Sequence, residues 1–259
     1  MTKIVVTIKQ ILDPTGFSVN RKHEKVFVNR EEYVVNPADL NALEMALCLK
    51  DGRPDTEVIV LGLGPGRVDD ALREAMARGA DSGVLISDPA LADLKTDAAG
   101  AARLMAAAVH KLGEVSLVIC GAAALDSGAG ELPGRLAEEL DWPVLADVHS
   151  LDEMAHDRLR AASRAAKLEA DLPALLTVPR GANQPRHMHG ARAMVVYRTG
   201  QVLTWGLADL GLTPDELQPT TRVVGRRFPP ERALGTRLEG SLDEVVQSLV
   251  AQLRANELI

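Results

Sequence analysis

The chain has 259 residues, a net charge of −7 and 46% hydrophobic residues, which is enough for a sizeable core under an acidic surface. That acidic balance, with only 3% aromatic residues, excludes the basic face and the stacking platform that nucleic-acid binding needs. Cys48 and Cys120 lack the spacing of a redox or zinc motif and read as small core residues of a reducing compartment. The sequence opens on an apolar strand and contains no apolar run of about 18 residues, so a soluble cytoplasmic protein without membrane insertion is expected.

Ile4 to Ile8 reads as the first strand, with Thr7 near its C-terminal end and Lys9 just after it. Residues 13 to 33 are polar and irregular, with a short hairpin around 25–29. The first helix has a clear start: Asn36 suits the N-cap, Pro37 the first helical position, and Asp39 adds favourable charge in the first turn. Leu40, Leu43, Ala46 and Leu47 form its apolar face, and Gly52 ends it. Val58 to Leu61 is the second strand. GLGPGR at 62–67 then leads into a helix that stops at Gly79. This glycine run follows the second strand rather than the first, and Pro65 interrupts its spacing, so it is a poor dinucleotide fingerprint. Val84 to Ser87 is the third strand, and Thr96 or Asp97 caps an alanine-rich helix ending at Gly113.

Val115, Leu117, Val118 and Ile119 form a strand buried on both faces. Gly121 follows at once, then a loop with Asp126, Ser127, Gly128 and Gly130, and a helix from Glu131 to Leu140. A small-residue loop entering a helix leaves backbone N–H groups and a helix dipole that attract an anion such as phosphate. A plain βα connection looks the same, and the loop lacks the Gly-Lys-Ser/Thr of a P-loop. The alternation of strand and helix over residues 1–140 predicts a parallel sheet with right-handed crossovers. A strand order of 3-2-1-4 would bring Thr7, the helix start at 36–39 and the loop after the fourth strand to one crevice beyond the carboxyl ends of the strands. Those three pieces together point to a nucleotide-type ligand.

After residue 143 the pattern shortens. Segments 144–151, 158–164 and 166–172 read as an antiparallel addition with a turn at His156-Asp157, and 173–178 as a further strand. Residues 179–192 form a basic loop with glycine and proline, and a helix begins near Gly190. Residues 200–240, with Trp205, four scattered prolines and Arg226-Arg227, lack periodicity and read as a partner-bound extension. Ser241 and Glu244 make a capping box for a last helix with the stripe Leu242, Val245, Val246, Leu249, Val250 and Leu253. Hydrolase elbows and metalloprotease motifs are absent, and His187-x-His189 has no carboxylates beside it, so no metal is expected. Asp126 reads either as a base or as a ribose or amide hydrogen-bonding partner.

Four stretches resemble the beta subunit of electron transfer flavoproteins: IVVTIKQILDP at 4–14, VNPADLNALEMALCLKDG at 35–52, the CGAAALD loop with LAEELDWP at 120–143, and LPALLTVPRGANQPR at 172–186. The segments from Asp209 and Phe228 (FPPER, 228–232) are similar too. The resemblance runs through nearly the whole chain in order. It implies a doubly wound, mostly parallel α/β sheet of the adenine-nucleotide-binding type, with a short antiparallel addition and an extended C-terminal segment. Residues 1–195 would form the nucleotide-binding domain, and 196–259 an extension and helix packing on an alpha partner. The implied function is electron transfer: a partner flavin dehydrogenase passes electrons to FAD held mainly by the alpha subunit, and AMP serves as a structural nucleotide in the beta crevice. Two alternatives remain: a bifurcating flavoprotein with a second FAD in this crevice that oxidises NADH, and a stand-alone adenine-nucleotide-binding protein. The chain would be an electron-carrier subunit without catalytic residues of its own.

By position, the resemblance assigns cofactor contacts to Thr7, Asn36, Pro37, Ala38, Asp39 and Leu63. It also assigns the loop Gly121, Ala122, Ala123, Ala124, Leu125, Asp126, Ser127, Gly128, Ala129, Gly130, Glu131 and Leu132. Docking of the dehydrogenase falls on Arg180, Gly181, Ala182, Asn183, Gln184, Pro185, Arg186 and His187. The departures are informative. The family loop usually begins Gly-Lys/Arg-Gln-Ala-Ile-Asp, and here Ala122 and Ala123 replace the cation and the amide. The second acidic position is Gly128, and a Val/Thr-Gly pair is Leu132-Pro133. Side-chain contacts to the ligand are lost, so a weaker or different ligand follows. The leucine anchor of the docking loop aligns with Ala182 and a tyrosine with His187, which implies a specialised dehydrogenase rather than the common acyl-CoA type.

Overall fold

The computed structural model describes residues 2–94, 97–155, 157–225, 227–230 and 235–259. Thr96, His156, Arg226 and the end of the 228–232 stretch lie outside the described residues. Residues 1–223 form one compact unit and 224–259 a second.

In the first unit the chain runs β1 (Thr2–Ile8), β2 (Gln10–Leu12), β3 (Phe17–Asn20), β4 (Lys25–Val28), β5 (Tyr33–Val35) and α1 (Pro37–Asp51). It continues with β6 (Thr56–Leu63), α2 (Val68–Arg78), β7 (Ser82–Ile86), α3 (Pro89–Leu94), α4 (Ala98–Leu112), β8 (Val115–Gly121) and α5 (Glu131–Leu140). Then come β9 (Val144–Leu145), β10 (Val148–Met154), β11 (Arg158–Ser163), β12 (Lys167–Asp171), β13 (Ala174–Val178), α6 (Gly190–Thr199), β14 (Val202–Trp205) and α7 (Leu207–Leu210). The second unit holds α8 (Leu242–Ala255), opened by the Ser241–Glu244 capping box.

The central sheet has the order β14-β7-β6-β1-β8-β13-β9, and every pairing in it is parallel. Its middle, β7-β6-β1-β8, has the 3-2-1-4 order that brings Thr7, the start of α1 and the loop after β8 to one crevice. Ile4 pairs with Val58 on one side and Leu117 on the other. β1 and β8 are buried on both faces, as their unbroken apolar runs require. One core lies on the α1 and α2 side of the sheet, with Ile4, Leu43, Leu47, Val60, Leu72 and Ile119 in it. The other lies on the α4 and α5 side, with Val5, Ile59, Leu104, Val118 and Leu136. Each large side chain so buried contributes roughly 1.5–3 kcal/mol.

The antiparallel addition is the three-stranded sheet β10-β11-β12. β3 and β4 form the expected hairpin. Residues 202–217, which carry no clear pattern in the sequence, are structured. β14 adds to the sheet beside β7, and Leu207 and Leu217 are buried in the α4-side core. The strand is only four residues long and the helix after it one turn, too short for periodicity to show.

Candidate functional site

A crevice of about 350 Å³ opens at the carboxyl ends of β1 and β8, where the strand order reverses. From the sequence-assigned residues it gathers Thr7, Asn36, Asp39, Leu63, Gly121, Ala123, Ala124, Ser127, Ala129, Gly130, Glu131 and Leu132. Pro37, Ala38, Ala122, Leu125, Asp126 and Gly128 do not line it. Several lining residues were not singled out in the sequence: Ile8, Lys9, Asp97, Ala98, Ala101, Met105, Cys120 and Pro133. Two of them carried a signal. Lys9 is the residue after a switch-point strand, and Asp97 is the N-cap of a helix facing the same crevice.

The α1 start is wired into the β8–α5 loop. Asn36 holds the N-cap position, yet its side chain makes no cap bond to its own helix. Instead its Nδ2 donates to Asp39 Oδ1 at 2.9 Å and to the Ala123 carbonyl at 3.2 Å, and its Oδ1 accepts from the Leu125 N–H at 3.1 Å. One amide therefore braces both walls of the crevice. Gly121 lets the two walls approach: a Cβ there would run into the Asp39 carboxylate and lie 2.9 Å from the Ala38 carbonyl carbon and the Asp39 nitrogen. Gly130, at φ +62, turns the loop into α5.

Asp39 is buried, and burial pushes its carboxyl up to about 7, against hydrogen bonds from the Lys9 N–H (2.7 Å), Asn36 and the Gly121 N–H. Burial likewise pushes the adjacent Cys120 thiol up to about 12, so it stays neutral. Across the crevice, Asp97 caps α4 and also accepts the N–H and hydroxyl groups of Thr220 and Thr221 at 2.8–3.0 Å. Burial opposes the Asp97 carboxylate, but the bonds from Gly100, Thr220 and Thr221 outweigh it and hold its pKa well below the usual range. Asp126, read from sequence as a base or a ribose partner, is paired with Lys9 Nζ at 2.8 Å. Its carboxylate is thus engaged by a cation.

The loop after β13 lies along α1. Asn41 Nδ2 donates to the Asn183 carbonyl at 2.7 Å, Asn183 Nδ2 returns a bond to the Asn41 carbonyl at 2.9 Å, and the Gly181 N–H donates to Asn41 Oδ1. One turn on, Glu44 accepts the Arg186 backbone N–H and a two-pronged guanidinium contact at 2.9–3.0 Å. Asp51 takes Arg186 Nη2 at 2.8 Å. Burial disfavours the Glu44 carboxylate, but Arg186 overcomes this and lowers its pKa, while Glu44 and Asp51 together raise that of Arg186. Ala182 is half-buried against the core, whereas Arg180, Gln184 and His187 are exposed. Among the described residues no cluster of His, Cys, Asp and Glu could hold a metal, and no helix is long and apolar enough to cross a membrane.

The model of the electron transfer flavoprotein domain matches residues 25–200. The chain belongs to the electron transfer flavoprotein family. It is 33% identical to the caffeyl-CoA reductase-Etf complex subunit CarD of Acetobacterium woodii, over 99% of this chain and 100% of that one. It is 30% identical to the electron transfer flavoprotein subunit beta of Thermoanaerobacterium thermosaccharolyticum, over 99% of each. The acryloyl-CoA reductase electron transfer subunit gamma of Anaerotignum propionicum is 29% identical over 99% of this chain and all of its own length. The alignment with these relatives is end to end, and the crevice residues from Asn36 to Pro133 and the Asn183–Arg186 loop belong to the segment that the family model matches, whereas Thr7, Ile8 and Lys9 precede it.

Proposed function

We propose that this chain is the beta-type subunit of an electron transfer flavoprotein complex that pairs with an alpha subunit holding most of the FAD and carries an adenine nucleotide, AMP, in its own crevice. The observation that carries this reading is the crevice at the switch point. Its volume suits one mononucleotide. Its apolar side, Leu63, Ala98, Ala101, Met105 and Leu132, suits a purine ring. Its polar end offers the Thr7 hydroxyl and the first N–H groups of α5, with the Asn36 amide bracing the walls around them. FAD, held mainly by the alpha subunit, would supply the redox chemistry, and this chain's crevice residues would bind and shield the nucleotide. α8 packs on the alpha subunit through its exposed stripe Leu242, Val246 and Leu249. Residues 180–187 dock the electron-donating dehydrogenase, with the exposed Arg180 and His187 as contacts and Asn183 and Arg186 as internal anchors. Family members named as parts of caffeyl-CoA and acryloyl-CoA reductase systems support a reductase or dehydrogenase as partner.

The test is denaturing release of bound nucleotides from the complex co-expressed with its alpha partner. One FAD and one AMP per heterodimer are expected. Two FADs would replace AMP in the crevice by a second flavin and turn the function to bifurcation. A complex with no adenine nucleotide beyond one FAD would refute the crevice reading.

A further inference from the structure

We propose that Lys9 is the residue that grips the phosphate of the crevice ligand, and that it releases Asp126 to do so. The proposal rests on the crevice being a nucleotide site. The charges of the described lining residues lead to it: Asp39, Asp97 and Glu131 are acids, and Lys9 is the one cation. A phosphate entering this crevice meets net negative charge unless Lys9 turns to it.

The usual alternative, the N-terminus of α5, is poorly equipped here. Its first turn carries the Glu131 carboxylate, and Pro133 has no N–H to donate. Ala122 and Ala123 offer no polar side chain. What remains of that end is the N–H groups of Glu131 and Leu132, so a compensating cation must come from another element.

Lys9 has the geometry for it. Its backbone is fixed, with the N–H donating to Asp39 Oδ2 at 2.7 Å and the carbonyl accepting from the Asn36 N–H at 2.9 Å. Beyond that anchor lies a flexible four-carbon stem. Its ammonium sits 2.8 Å from both Asp126 oxygens, and the two side chains are 46% and 41% exposed. An ion pair so open to solvent is weak and readily exchanged. A phosphomonoester dianion inside the crevice is a better partner for the same ammonium, because it is less hydrated there and more highly charged. Asp126 therefore competes with the ligand: it keeps Lys9 occupied at the mouth, on a loop with Gly128 and Gly130 at positive φ.

This makes opposite predictions for the two partners. The nucleotide-depleted complex is titrated calorimetrically with AMP and with adenosine, at low and high salt. Lys9→Met lowers AMP affinity about 10- to 100-fold, the value of a charged hydrogen bond, and changes adenosine affinity less than about 3-fold. Asp126→Asn, which frees Lys9, raises AMP affinity by about 2- to 5-fold. AMP binding weakens with salt in the wild type and much less in Lys9→Met. If the pair is only a strut, both variants weaken AMP and adenosine alike, and the assignment is overturned. It is also overturned if wild type does not distinguish AMP from adenosine. A wild-type complex that binds neither compound defeats the crevice reading itself, and the role of Lys9 with it.

Discussion

The Glu44–Arg186 pair fastens the loop after β13 to α1, and its burial sets its strength. Glu44's side chain is 10% exposed and that of Arg186 31%, so the pair is neither a surface bridge nor fully buried. Arg186→Ala removes the two-pronged contact and leaves the Glu44 carboxylate with the backbone N–H of residue 186 and the Cys48 thiol. Breaking a fully buried pair costs about 3–5 kcal/mol and an exposed one about 0–1. With one partner a third exposed, about 2 kcal/mol is expected, or a fall in Tm of about 4–8 °C for a chain of this size. Urea or thermal unfolding followed by the fluorescence of Trp142 and Trp205 measures it. A double-mutant cycle with Glu44→Gln should give a coupling of about 1–2 kcal/mol. Because Arg186 depresses the Glu44 pKa in the folded state, the coupling is present above the unfolded value of 4.5 and is lost as pH falls below it. A coupling under about 0.5 kcal/mol, or one that does not change with acid, would refute the claim that this pair fastens the loop.

Three further outcomes follow from the crevice. Gly121→Ala forces a Cβ against the backbone of Ala38 and Asp39, so it should cost about 1–3 kcal/mol or more and abolish nucleotide retention, measured by unfolding and by released AMP. Asp39 has a raised folded pKa, so its contribution to stability is full below 3.8 and is lost as pH rises through about 7. Asp39→Asn should flatten that part of the stability–pH curve, and an unchanged curve would contradict the burial argument. Asp97→Ala frees four donors of Thr220 and Thr221, so their amide exchange should rise about 10-fold or more while that of β1 stays fixed.

The fold was legible wherever a pattern ran long enough to be periodic. The unbroken apolar runs of β1 and β8 and the Asn36-Pro37 start of α1 mark the pieces that meet at the switch point, and the small-residue loop after β8 stands beside them. The short elements were not legible. β14 gains its place by pairing with β7, and α7 by burying Leu207, and neither interaction leaves a mark on the local sequence. Polar residues on α1 were missed for a related reason. Asn41 and Glu44 fall on a face that local pattern assigns to solvent, yet both are buried because a loop about 140 positions later covers them. Asn36 was expected to cap its own helix, since that is the local use of such a residue. In the fold its amide is drawn to the β8–α5 loop, where it satisfies the Ala123 carbonyl and the Leu125 N–H while also holding Asp39 of α1.

α1 explains how the loop after β13 can change its exposed residues without losing its place. The first turn of the helix holds the crevice through Asn36 and Asp39, and its next two turns hold the loop after β13 through Asn41 and Glu44. Within residues 180–187 the roles separate by burial. Asn183 and Arg186 face α1 and fix the backbone, while Arg180, Gln184 and His187 point to solvent. Substitution at the second group changes the surface offered to a partner and leaves the anchors intact, so specificity is altered at little cost in stability. Substitution at the first group leaves Glu44 or Asn41 buried without its partner, which costs stability whatever the partner is. The anchors thus set the position of the loop, and its exposed side chains can change without disturbing it.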